Sequence, residues 1–218
     1  MLAAFGPELA LLGRALGPGL VGRVGQSVVE AKPVGIGLVA AAVGTAALLQ
    51  GPLPRAVVLI GTCGAYPHVT RPTPVLGRVV VGACSHLVDI GAIYGKAEIP
   101  SAVITRLPSD ESVCAGLGSE GHPQVEVATT LGITVDDQAA TRVALGNVDV
   151  EHLETFSVAW ACKAAGVPFA ALLGVANLVG SSAREQWRAN HRAAADAAGA
   201  ALLSWLERGG IGLPPVPD

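Results

Sequence analysis

Charge is what this 218-residue chain has least of: only 14% of its residues are Asp, Glu, Lys or Arg, against about a quarter in an ordinary globular domain. The net charge is −3 and no basic run occurs, which excludes a nucleic-acid partner and a membrane-surface footprint. The chain has no CxxC pair. Its cysteines, Cys63, Cys84, Cys114 and Cys162, are widely spaced among small and apolar residues. That pattern argues against a zinc site and for reduced core thiols in a cytoplasmic protein, with no metal expected. The start lacks the basic n-region and small-residue cleavage site of a signal peptide. Residues 33–54 and 164–183 carry no charge, but Pro52, Pro54, Pro168 and Asn177 interrupt them, so neither is expected to span a membrane.

Hydrophobic residues are abundant at 51%, enough to exclude disorder and to fill the core of one large domain. "MLAAF" reads as a short strand, and Pro7 then starts a helix. "VGIG" (34–37) leads into a helix over about 38–50. "RAVVLIGTCGAYP" reads as a buried strand ending in a small-residue loop, and "GRVVVGACSHLVDIG" (77–91) as another strand. Residues 107–123 read as loop or a loosely held helix, and "GITV" (132–135) as a short strand. A helix follows from about Glu154 to Ala165. The continuous apolarity of "VPFAALLGV" (167–175) predicts a central strand. "SARE" places Glu185 three residues after Ser182, a capping-box pattern, before a long final helix with Trp187, His191, Ala194, Ala198, Leu202 and Trp205 along one side. The expected fold is α/β: a single-domain three-layer sandwich with a central mixed, mainly parallel sheet flanked by helices. Its domain would span residues 1–208, and residues 209–218 would form a loose tail. In such sheets ligands sit beyond the carboxyl ends of strands. Three candidates lie at such ends: Glu8, "GTCG" and Asn177.

Several segments together resemble the nucleoside phosphorylase and nucleosidase superfamily. "GIGLVAAAVGTAALL" is similar to its GIGKVAAA helix start, and "IGTCGA" (60–65) to its Gly-Ser/Thr-Cys/Ala-Gly loop. "VEHLETFSVAWACKAAGVPFAALLGVAN" (150–177) resembles its V-E-x-M-E segment, then G-V-P-F, then a strand ending in Ser-Asp or Ser-Asn. Within the superfamily, "SHLVDIGA", "GITVDD" and "ANLVGSSAREQW" most resemble the futalosine hydrolase group.

The resemblance implies roles residue by residue. Asn177 falls where the family contacts the imidazole nitrogen and six-position of a purine. An amide donates to a 6-oxo oxygen, whereas an ionised Asp only accepts, so Asn points to a hypoxanthine- or guanine-type base. Glu154 matches the glutamate that holds the ribose hydroxyls, Leu153 the apolar residue under the ribose, and Glu8 the base that activates water. Thr62 and Gly64 lie in the loop that binds phosphate in phosphorylases, and Asp136 or Asp137 could bond to the purine. Each has a plain alternative: a turn or cap for Asn177 and Asp136, a helix-dipole acid for Glu8, Glu151 and Glu154. His86 and Asp89 could face the ribose or the substrate's acidic tail, with a structural role for His86 as the alternative. The three tryptophans read as core or interface residues.

Bacterial phosphorylases of this type carry an Arg three residues before the Ser/Thr, where this chain has Leu59, and "AAFGPE" has no Arg. Without a cation near the loop, water is the expected nucleophile. The resemblance thus implies a cofactor-free purine nucleosidase that cleaves futalosine to hypoxanthine and dehypoxanthine futalosine, a menaquinone-route reaction. It also implies a homodimer or larger homo-oligomer whose partner is a small-molecule nucleoside. The alternatives are a 6-oxopurine nucleoside phosphorylase and a catalytically silent nucleoside-binding relative.

Overall fold

Strands and helices alternate along the chain in the computed structural model, which describes residues 1–68 and 72–215. Strand β1 (Leu2–Ala3) runs through a single 3-10 turn, Gly6–Leu9, into α1 (Ala10–Leu16). A hairpin of β2 (Val21–Val24) and β3 (Ser27–Glu30) leads to β4 (Lys32–Pro33) and α2 (Leu38–Leu48). Then come β5 (Val57–Ala65), β6 (Val79–Leu87), α3 (Ile90–Ile93), β7 (Arg106–Pro108) and α4 (Glu111–Gly118). The chain continues through β8 (Gln124–Thr129), α5 (Asp137–Ala144), β9 (Val150–Glu151), α6 (Thr155–Ala165), β10 (Phe169–Leu178) and α7 (Ala183–Glu207).

The sheet is mixed and mainly parallel. β1 pairs in parallel with β4 and β5, β10 with β5, and β8 with both β6 and β9. The antiparallel pairs are β10–β6, β5–β9 and β6–β7. Because β10 lies between β5 and β6 while β8 and β9 link those two strands on the other side, the sheet curls back on itself. Helices cover both faces. One core layer packs Phe156, Val158 and Cys162 of α6 against Leu59, Leu173 and Val175. The other packs Leu12, Leu202 and Trp205 against Ile60, Val81 and Leu172. The alternating residues of β5 and β10 thus serve opposite faces, and both strands are buried almost throughout. All four cysteines are free and buried. No described helix is long and apolar enough to cross a membrane.

The structure corrects several local expectations. Residues 132–135 form no strand; they run as a loop whose partner is a side chain rather than a neighbouring strand. Of the two readings of residues 107–123, the helix holds over 111–118, where Asp110 accepts from the Val113 amide at 3.0 Å and caps the first turn. The capping box at Ser182 does not form: Ser182 has already turned helical (φ −88°, ψ −2°) and its hydroxyl caps nothing. The tail is held through residue 214. The Trp205 indole donates to the Ile211 carbonyl at 3.0 Å, the Arg55 Nε donates to the Pro214 carbonyl at 2.7 Å, and Leu213 packs on the core. Residues 216–218 lie outside the described residues.

Candidate functional site

Four strand ends meet at one cavity of about 390 Å³. Its floor and walls include Ala4, Phe5 and Glu8 after β1, Thr62 and Gly64 on β5, and Leu153 and Glu154 after β9. Asn177 near the end of β10 completes the floor, and Ala183, Arg184, Trp187 and Arg188 of α7 form a side. A cavity of this size beyond the carboxyl ends of parallel strands is where an open α/β sheet places a small ligand.

Asn177 reaches the cavity because β10 slips register. Val175 lies opposite Cys63, but Asn177 lies opposite Gly64, leaving Ala176 as a bulge. A bulge re-aims the following side chain. Ala176 keeps a partner, since the Asn190 amide donates to its carbonyl at 3.0 Å. One hydrogen of the Asn177 amide goes to the Leu178 carbonyl at 2.9 Å, leaving a second N–H and the carbonyl oxygen. Gly64 makes the room: a Cβ there would stand 2.7 Å from Asn177 Nδ2 and 2.9 Å from Val179 Cγ2.

Glu8 is buried, and Pro7 places it in the tight turn that aims it at β5. Its carboxylate accepts from the Ala4 amide at 3.2 Å, the Thr62 amide at 3.0 Å and the Thr62 hydroxyl at 3.3 Å. The Trp187 indole donates to that same hydroxyl at 3.1 Å, so Thr62 relays orientation from α7 to the carboxylate. Burial pushes the Glu8 carboxyl up to about 7; nearby Glu154 pushes the same way, and the Thr62 and Ala4 donors oppose it.

Glu154 is buried at the start of α6 and accepts from the Gly37 amide at 2.7 Å. Gly37 has φ +85°, a backbone that L side chains rarely adopt, and so turns its N–H toward the carboxylate. His152, which the sequence reading did not single out, completes the floor. Its Nδ1 lies 2.8 Å from the Thr155 hydroxyl and 3.4 Å from Glu154 Oε2. Its Nε2 and Glu8 Oε1 both lie within 3.1 Å of the point a Cβ on Gly61 would occupy. Burial depresses the His152 pKa, against the opposing pull of Glu154. Glu151 is no helix-dipole acid. It is a buried hub accepting from the Tyr66 hydroxyl at 2.7 Å, the Thr134 amide at 3.0 Å and the Thr134 hydroxyl at 2.5 Å. Through Thr134 it holds the loop that brings Ile133 to the cavity.

Glu8, Thr62, Gly64, Leu153, Glu154 and Asn177 are therefore brought together, and Asp136 is not. Asp136 caps α5, accepting from the Ala139 amide at 2.7 Å, and its neighbour Asp137 accepts from the Ser181 amide at 2.8 Å. Neither lines the cavity. His86 and Asp89 lie at a separate depression, where His86 pairs with Glu126 and Asp89 caps α3 by accepting from the Ala92 amide at 2.7 Å. Trp205 is core, and Trp160 is exposed beside Phe156. Trp187 departs from expectation: it lines the cavity and stacks on His191, ring centroids 4.3 Å apart. The expectation of a cation-free crevice is also overturned, since Arg184 and Arg188 line its side.

The family model of the phosphorylase superfamily matches residues 13–207. The chain belongs to that superfamily. A 5′-methylthioadenosine/S-adenosylhomocysteine nucleosidase of Actinobacillus succinogenes is 29% identical over 164 residues, covering 70% of this chain and 69% of that protein. The fold matches the S-adenosylhomocysteine nucleosidase of Streptococcus pyogenes, solved with 5-methylthiotubericidin, at TM-score 0.82 and 21% identity over 99% of this chain and 96% of the other. It matches futalosine hydrolase of Helicobacter pylori at TM-score 0.77 and 16% identity over 95% and 96%. Superfamily membership and the mixed-sheet fold accord with the resemblance read from the sequence.

Proposed function

We propose that this superfamily member is a cytoplasmic purine nucleosidase that hydrolyses the N-glycosidic bond of a 6-oxopurine nucleoside of the futalosine type. The observation that carries the reading is the convergence of Glu8, Glu154 and Asn177 on one cavity at the strand ends. As the bond from C1′ to the purine breaks, its electron pair moves onto the base. The free N–H of Asn177 lies between the imidazole nitrogen and the 6-oxo oxygen and stabilises that charge. Glu154 accepts from the ribose hydroxyls and fixes the sugar. Glu8 takes a proton from water as the water oxygen bonds to C1′, and the return of that proton through solvent to the purine anion frees neutral hypoxanthine and restores the carboxylate. The chain's own groups suffice for these steps, and no cofactor is invoked. Asp136 and Asp137 take no part in these steps, because Asp136 caps α5 and Asp137 holds the Ser181 amide, both outside the cavity.

Arg184 and Arg188 raise the phosphorylase alternative. Against it stands the Thr62 loop: its amide, which a phosphate would need, already donates to Glu8 at 3.0 Å. A phosphate there would also face the Glu8 carboxylate. Futalosine, inosine and methylthioadenosine, each assayed with and without phosphate, separate the readings. The expected result is hypoxanthine from futalosine at a rate indifferent to phosphate. A phosphate requirement, or faster adenine release from methylthioadenosine, would reject it.

A homodimer completes the proposal. Ile36 at 65% exposure, Val39 at 75% and Val43 at 65% present an apolar face at the start of α2. Leu131, Ile133 and Val135 are exposed on the loop that Glu151 holds. Ile36 and Ile133 also line the cavity, so a second copy covering these residues would wall the site. Sedimentation velocity should show a dimer that V39D/V43D converts to a monomer; a wild-type monomer at micromolar concentration would refute this.

A further inference from the structure

The catalytic reading uses the floor of the cavity and Trp187, and leaves the two arginines of the α7 side without a task. Arg184 and Arg188 stand one turn apart on α7 and so share a face. They are the cationic side chains of the cavity wall. Neither has a hydrogen bond or an ion pair among the described residues, although Glu8 and Glu154 lie in the same cavity. Trp187 stands between them in sequence. Its ring is held by the Thr62 hydroxyl on one side and by His191 on the other, so it offers a fixed flat surface beside two free guanidinium groups.

We propose that Arg184 and Arg188 form a specificity subsite for a carboxylate on the part of the substrate beyond the ribose 5′-carbon. The proposal rests on the nucleosidase reading and deepens it. With the base at Asn177 and the ribose between Glu154 and Glu8, the lining left for the 5′-substituent is α7 and the apolar Ile36 and Ile133, and of these α7 carries the cations. Two planar guanidinium forks suit a carboxylate better than any neutral group. They also offset the repulsion that the floor carboxylates exert on an anionic substrate. Inorganic phosphate shares the oxyanion chemistry, but the in-line nucleophile position lies against Glu8.

The test uses 5′-succinamido-5′-deoxyinosine, an acid, and its neutral methyl ester. The wild-type enzyme should prefer the acid by about 10- to 100-fold in kcat/KM, the range expected for charge-assisted hydrogen bonds, and mostly through KM. The acid-to-ester ratio should fall toward one in R184A/R188A, stay intermediate in R184K/R188K, and shrink for the wild type as salt is raised. Equal use of acid and ester by the wild type, or a preference surviving in R184A/R188A, would overturn the proposal. So would a phosphate requirement for inosine cleavage that disappears in R184A/R188A, because the pair would then clamp phosphate. Calorimetric binding of acid and ester reads the subsite separately. Acid-selective binding without hypoxanthine release would sustain the subsite and reject the nucleosidase reading, and binding indifferent to charge would reject the subsite.

Discussion

Glu8→Gln should slow hypoxanthine release about 10²- to 10⁴-fold, the usual contribution of a general base, while substrate binding survives. The glutamine keeps the shape of the side chain and one acceptor for the Ala4 and Thr62 donors, but it cannot take a proton from water. The pH profile supplies the sharper signature. Burial holds the Glu8 carboxyl up at about 7. Only the ionised form is a base, so wild-type kcat/KM should rise with pH through about 7 and level above it, and this limb should vanish in the variant. Stability runs the opposite way. The ordinary value of 4.5 applies to the unfolded chain, so between 4.5 and about 7 the folded state holds the extra proton. Stability of the ligand-free protein should therefore fall as pH rises through that window, and Glu8→Gln should flatten that part of the curve in thermal melts. Unchanged turnover in the variant would remove Glu8 from the mechanism, whatever the melts show.

The parts of the site that were legible in the sequence sit on elements whose character is local. β10 announces itself by unbroken apolarity, so the polar residue near its end, Asn177, stands out. Glu154 falls where the apolar pattern of α6 begins, and the small residues of "GTCG" follow the buried run of β5. What was not legible depends on residues distant in the chain. Trp187 looks like one more apolar position on α7, and only the docking of α7 against β5 turns it toward Thr62. Arg184 and Arg188 look like solvated helix charges until that docking brings them to the cavity. His152 has no local pattern; its partners are Thr155 and Glu154. Residues 132–135 have the β-branched composition of a strand, yet the Thr134 amide is claimed by Glu151, so no ladder forms. β8 has the converse history: Gln124 and Glu126 dilute its apolar signal, and pairing with β6 and β9 makes it a strand.

Asn177→Asp tests what the amide is for, because it changes the donor and little else. The side chain occupies the same volume beside Gly64, whose missing Cβ makes its room. In the wild type one amide hydrogen goes to the Leu178 carbonyl at 2.9 Å and the other is free for the base. An ionised aspartate loses both. It faces the 6-oxo oxygen and the Leu178 carbonyl with lone pairs only, which is repulsive on both sides. Turnover of inosine-type substrates should fall about 10²- to 10³-fold, the cost of removing one donor aimed at developing charge. Adenine nucleosides should lose less, since their 6-amino group donates to a carboxylate, so the 6-oxo over 6-amino preference should narrow or reverse. Protonation restores a donor, and the buried, carbonyl-facing site favours the protonated form. The residual 6-oxo activity of the variant should therefore lie at lower pH than that of the wild type, until Glu8 itself is protonated. A melting temperature close to wild type would show that the loss is chemical rather than structural. If inosine and adenosine lose activity in equal proportion, Asn177 holds the strand end and does not read the base.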